Sequence, residues 1–153
     1  MQYLFQTGGF AALVLRLTLG LVILPHGIQK IKDFSNVMHH LQHAYKLPAF
    51  LSVIVILVEL IAPILLLAGL GGRVMAALLV ILMVGAVITG HHLEHGFFMN
   101  WFGKQQGEGI EYHLLAIGIG IGVVMLGSGA WSVDAWLANR ITGYTAAMPG
   151  ATH

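Results

Sequence analysis

The stretch AFLSVIVILVELIAPILLLAGLGGRVMAALLVILMVGAVITGHHL, residues 49–93, holds two long apolar runs separated by GLGGR. Each run is close to the ~20 residues that a helix needs to cross a hydrocarbon core. The glycine-rich turn between them leaves room only for a reversal, which predicts two antiparallel neighbours. Working outward, two more segments qualify, so the predicted spans are roughly residues 9–29, 49–70, 73–93 and 110–127. The expected fold is an all-α membrane protein, a four-transmembrane-helix bundle with short interfacial helices, forming a single domain over residues 1–153.

Composition points the same way. Hydrophobic residues make up 58% of the chain and charged residues 8%, against about 25% charged in a soluble domain. So few charges cannot solvate a compact globule, and a bilayer is the expected solvent. The formal net charge is +1 and the seven Lys and Arg are scattered, which excludes the dense basic face that nucleic acid requires. The absence of cysteine removes disulfides, thiolate metal sites and thiol catalysis. Redox chemistry would therefore need a bound cofactor or a partner. The N-terminal MQYLFQTGGF has no basic region ahead of its apolar stretch, so the first helix is expected to be retained rather than cleaved as a signal.

Between the first two spans lies DFSNVMHHLQHAYKLP, in which Phe34, Val37, Met38, Leu41, Ala44 and Tyr45 share one helical face. This predicts a short helix at headgroup depth, capped by Asp33 or Ser35 and stopped by Pro48. After the fourth span, GSGAWSVDAWLANRI suits a second interfacial segment, and the last dozen residues read as a frayed tail. Gly118 and Gly122 give a small-xxx-small spacing that lets another helix approach, which opens a homo-oligomer as one partner beside membrane lipid. We call the end shared by the first and third connections the B end and the opposite one the A end. The B end holds Lys30, Lys32, Lys46 and Lys104, against Arg73, Arg140 and the internal Arg16, so the positive-inside rule favours a cytoplasmic B end.

Arg16 and Glu59 fall well inside predicted spans that run in opposite directions. Counting about 1.5 Å per residue from each span's start puts both near the same depth, so a buried Arg16–Glu59 ion pair is expected. Pro63 lacks an N–H and frees the carbonyl of Glu59 itself, which predicts a kinked polar spot there.

Eight of the nine histidines map to the B end: His26, His39, His40, His43, His91, His92, His95 and His113. With Glu111 beside them they suggest a polar pocket near the interface. Three chemistries suit it. The pairs His91/His95 and His39/His43 stand four apart and could share a metal, although neither comes with a third-ligand motif. His26 with His91 or His92 could ligate haem between helices. A quinone headgroup is the third, because imidazoles titrating near pH 6.5 and raised carboxylates suit proton delivery to it. On that reading His26, His92 and Glu111 move protons, and Lys30, His91, Trp101, Tyr112 and His113 line the cofactor site. Phe97, Phe98, Trp101 and Phe102 either flank the ring or form an aromatic belt.

The motifs RLTLGLVILPHGIQK, LVELIAPILLLAGLGGR, HLEHGFFMNWFGKQQGEGIEYHLLAIGIG and WSVDAWL together resemble the DoxX family of small bacterial membrane proteins. The resemblance runs from about residue 13 to 137. It implies four transmembrane helices in the bacterial inner membrane and a quinone-linked oxidoreductase setting, with a soluble redox enzyme as partner. It places the family's polar pattern on Arg16, His26, Gly27, Lys30, Glu59, Glu111 and Tyr112. The alternative function is a non-catalytic membrane scaffold or a carrier of small solutes or lipid.

Overall fold

The computed structural model describes residues 2–146 and is helical throughout its regular structure, with six helices in that range. Helix α1 spans Gln2–Lys32, α2 Phe34–His43, α3 Ala49–Ala68, α4 Gly72–Thr89, α5 Glu111–Leu126 and α6 Val133–Ala146. Three of these have segments long and apolar enough to cross a bilayer: Gly8–Lys32, Ala49–Ala68 and Gly72–Thr89. The fourth predicted span is the shorter apolar helix α5, 16 residues or about 24 Å long. Four helices close a ring in which α1 and α4 each touch both α3 and α5.

The ring's interior is filled by Leu19, Ile23, Leu66, Leu79, Met83 and Val123. Its exterior is no less apolar, with Ile61, Ile81, Ile88, Leu115 and Met125 between 47% and 73% exposed. Water would not tolerate such an outer surface, whereas hydrocarbon is its natural solvent. The chain is therefore a multi-pass membrane protein.

Helix ends are set by local backbone chemistry. GLGG reverses the chain as expected, because Gly69 adopts a left-handed conformation at φ 73°. Its N–H donates to Leu66 O while that of Leu70 donates to Leu65 O, the Schellman closure of a helix end. The third span was expected to run to residue 93, but α4 stops at Thr89. The same closure operates there: His91 takes φ 52°, its N–H donates to Ile88 O, and that of His92 donates to Val87 O. His91 thus occupies the position that glycine usually fills. His91 and His95 consequently lie in a loop, where a four-residue spacing no longer puts them on one face.

The interfacial helix is present as α2, with Leu41 buried. Asp33 is its N-cap residue but makes no side-chain cap bond; its carboxylate instead accepts from Asn36 Nδ2 at 2.7 Å. The helix ends at His43, ahead of Pro48, and Lys46 follows with a left-handed φ of 53°. The segment after α5 forms α6, where the Arg140 guanidinium lies 5.2 Å from the Trp136 ring centre. The expected frayed tail overlaps α6 through Ala146, and residues 147–153 lie outside the described residues.

Two glycines show what sets the distance between helices. A Cβ on Gly27 would stand 2.3 Å from the Glu59 carbonyl oxygen and 2.8 Å from the Leu60 Cα, so α1 meets the α3 backbone directly. Gly27→Ala should therefore force the helices apart and cost about 1–3 kcal/mol. At Gly118 a Cβ meets nothing within 4 Å, and Gly118→Ala should gain up to about 1 kcal/mol from helix propensity. Chemical or thermal unfolding in detergent would check this opposite sign. Inside the ring it is Gly120, against Val80, and Gly122, against Leu15, that bring helices together, while Gly118 faces outward.

Candidate functional site

The expected Arg16–Glu59 ion pair does not form. Arg16, 2% exposed, donates to Leu66 O at 2.8 Å, Leu67 O at 2.7 Å and Trp131 O. It thereby supplies Leu67 O near the end of α3, where carbonyls lack intrahelical donors, and adds a second donor to Leu66 O, which also accepts from Gly69 N. Glu59 is paired with Lys30 instead. The depth argument failed because it assumed that α1 and α3 start level at the membrane faces. In the structure Gly27 lies against Glu59 and Gly20 against Pro63, so α3 overshoots α1 at the B end. Glu59 then meets the end of α1, and Arg16 lies eleven residues away along it, about 16 Å.

Around Arg16 the A end forms a polar knot that sequence reasoning missed. Asp134 on α6 accepts from Gly71 N at 2.9 Å and from Ser128 Oγ at 2.6 Å, and so caps the start of α4. Burial pushes its carboxyl up, but the hydrogen bonds from Gly71, Ser128 and Gly72, with the Arg16 charge, outweigh that and hold it below the usual carboxylate range. The lone Asp of the WSVD motif was the available signal. Here the knot is structural: it ties α1, α3, α4 and α6 at one face.

The B end gathers a buried ion pair and two hollows. Glu59 is 4% exposed, and Lys30 reaches it from one helix turn beyond His26 on α1. Lys30 also lines a cavity of about 360 Å³ between α2, α3 and α4. The walls of this cavity are nearly all hydrocarbon, including Leu41, Ile54, Val58, Ile81 and Leu82, and its polar groups include Lys30, Tyr45 and Thr89. A second hollow, about 430 Å³, shares Lys30, Leu41 and Tyr45 with it and adds Asp33, Asn36 and His40. Together they make an apolar groove with a polar mouth, a shape suited to an amphipathic molecule.

Four predicted residues form a row of rings beside this pair. His26 stands 5.8 Å from Tyr112, Tyr112 5.6 Å from His113, and His113 4.4 Å from His92, between ring centres. The Tyr112 hydroxyl and His113 Nδ1 are buried without a hydrogen-bond partner. His26 and His92 do not face each other, since Tyr112 and His113 lie between them in this row. His92 Nδ1 contacts Glu108 O at 2.7 Å; a carbonyl only accepts, so Nδ1 is the donor.

The remaining predicted residues go elsewhere. Glu111 starts α5, and its carboxylate accepts from Met99 N at 3.2 Å, fastening the loop of residues 96–110. His91 pairs with Glu94 at 2.9 Å on the exposed surface. Trp101 is 78% exposed. His39 and His43 stack at 3.9 Å, and among the described residues no three His, Asp or Glu side chains are grouped to hold a metal. The cavity itself was not anticipated: of the predicted site residues only Lys30 lines it.

Comparison with known proteins now adds to this geometry. The family model described as DoxX matches residues 11–92, more than half of the chain and all of α1 to α4 beyond the first turns of α1. A Bacillus subtilis (strain 168) protein named "Putative oxidoreductase CatD" is 29% identical over 77 residues, covering 50% of this chain and 57% of that relative. The matched region thus spans little more than half of the relative's length. No solved structure matches.

Proposed function

The chain belongs to the DoxX family, and we propose that it is a membrane subunit of quinone-linked redox chemistry in the bacterial inner membrane, serving a soluble redox enzyme. The observation that carries this reading is the groove between α2, α3 and α4, hydrocarbon along its length with Lys30 at its polar end. The name of the Bacillus relative supports the same class of chemistry. A quinone supplies two-electron, two-proton redox chemistry when bound. Its tail suits Ile54, Val58, Ile81 and Leu82, and Lys30 and Tyr45 are the groups placed to donate hydrogen bonds to a ring oxygen. Lys30, which lines the groove, is also the salt-bridge partner of Glu59 on α3. His26 and His92 retain the proton-moving roles expected of them, whereas Glu111 acts on the loop.

Gly85 lines the groove, and a Cβ there meets nothing within 4 Å. Gly85→Phe should therefore fill the cavity without disturbing the ring of helices. Protein purified in mild detergent should yield a quinone in its organic extract, read by mass spectrometry, and Gly85→Phe should lower the yield at least tenfold. Phospholipid in place of quinone, lost in the same variant, would turn the assignment to lipid carriage. No groove-dependent ligand at all would overturn it.

A further inference from the structure

We infer that the loop joining α4 to α5, residues 90–110, is seated in the bilayer at the B end, where Phe97, Phe98, Trp101 and Phe102 face lipid and complete the span that the two helices leave short. The seat is independent of whatever the groove binds.

Helix length carries the first step. α4 has 18 residues and α5 has 16, about 27 and 24 Å at roughly 1.5 Å per residue. A hydrocarbon core is about 30 Å thick, and tilt only shortens what each helix covers. At the A end both helices meet the knot of Asp134, Ser128 and the Gly71 and Gly72 N–H groups, polar groups that belong at the membrane face. The missing length therefore falls at the B end, where the chain leaves α4 at Thr89 and enters α5 at Glu111.

The surface of the loop matches that place. Its four rings are between 48% and 86% exposed, an apolar patch of the kind that marks a membrane or protein contact. The patch begins where the lipid-facing belt ends, because Ile88 on the last turn of α4 and Leu114 and Leu115 on the first turn of α5 are also exposed. Phe97 and Phe98 are fixed at that junction. Phe97 O accepts from Glu111 N at 2.9 Å, and a Cβ on Gly109 would stand 2.6 and 2.4 Å from the Phe97 and Phe98 carbonyl oxygens.

An irregular loop can leave water only when its backbone is satisfied within the protein. Here Glu111 and Glu108 place their carboxylates on Met99 N and Asn100 N, Asn100 and Gln105 exchange two hydrogen bonds, and Ile110 N donates to Gly96 O. Lys104 and the His91–Glu94 pair stay exposed, which sets the loop at headgroup depth rather than in the core. A soluble partner covering the same rings would leave the shortfall of α4 and α5 unfilled.

Tryptophan fluorescence tests this on the full chain in phosphatidylcholine vesicles. The chain has three tryptophans, and Trp131→Phe with Trp136→Phe, both at exposed positions, leaves Trp101 as the emitter. Phosphatidylcholine brominated in the upper part of its acyl chains should remove roughly half of that emission, since interfacial apolar groups lie about 5–10 Å into the headgroup–acyl boundary. Aqueous iodide should quench it several-fold less than it quenches tryptophan in solution. Adding Phe98→Ser and Phe102→Ser, which removes two anchors, should weaken the bromine effect and strengthen that of iodide. Iodide quenching equal to that of free tryptophan, with none from bromine, would overturn the inference and leave the rings as a docking face for a soluble protein. Bromine quenching that ignores the two serines would overturn the anchoring role of Phe98 and Phe102.

Discussion

Arg16→Met should lower the stability of the detergent-solubilised protein by about 2 kcal/mol, since it leaves the part-buried Leu67 and Trp131 carbonyls without their donor at about 1 kcal/mol or more each. Leu66 O, the third carbonyl that Arg16 serves, keeps the N–H of Gly69. Methionine keeps most of the stem's packing, so the loss isolates the guanidinium. Arg16→Lys should recover less than half of it, because an ammonium is a point donor and cannot reproduce the planar fork that reaches three oxygens. In a chain of this size the melting temperature should fall by roughly 4–8 °C for Arg16→Met. A melt within a degree or two of wild type would mean that lipid or water serves those carbonyls as well as Arg16 does.

The second large effect is at the B end, and its asymmetry is the informative part. Lys30→Met strands a carboxylate that is 5% exposed, and breaking a buried pair in this way costs about 3–5 kcal/mol. Glu59→Gln should cost less, about 1 kcal/mol, because Lys30 is 29% exposed and its long stem can carry the ammonium to the B end. The double variant should be more stable than Lys30→Met alone. Unfolding of the four proteins measures all of this. A Lys30→Met deficit independent of residue 59 would show that the pair contributes only packing.

These two charged residues also show where sequence reasoning stopped. That both needed partners followed from their depth and the cost of a bare charge in hydrocarbon. Which partners they took depended on an offset between α1 and α3, and that offset is set by Gly27 and Gly20 against the α3 backbone. A glycine in sequence does not disclose what it touches. The histidines divide for a similar reason. His92 and His113 meet because the loop of residues 96–110 folds back, held by Glu111 and Glu108 on Met99 N and Asn100 N. His91 was lost to the site when α4 closed at Gly90, a local backbone event that apolar periodicity does not register.

The sequence by itself determined the solvent, the helical class, the antiparallel turn at GLGG and the gathering of imidazoles at one end. Each follows from composition or from spacing along a single helix, where neighbours are fixed by covalent geometry. Only the tertiary structure decided that Arg16 closes α3, that Lys30 neutralises Glu59, and that a groove opens between α2, α3 and α4. Those outcomes depend on the axial offset and spacing of separate helices, which are set by close contacts between surfaces far apart in the chain.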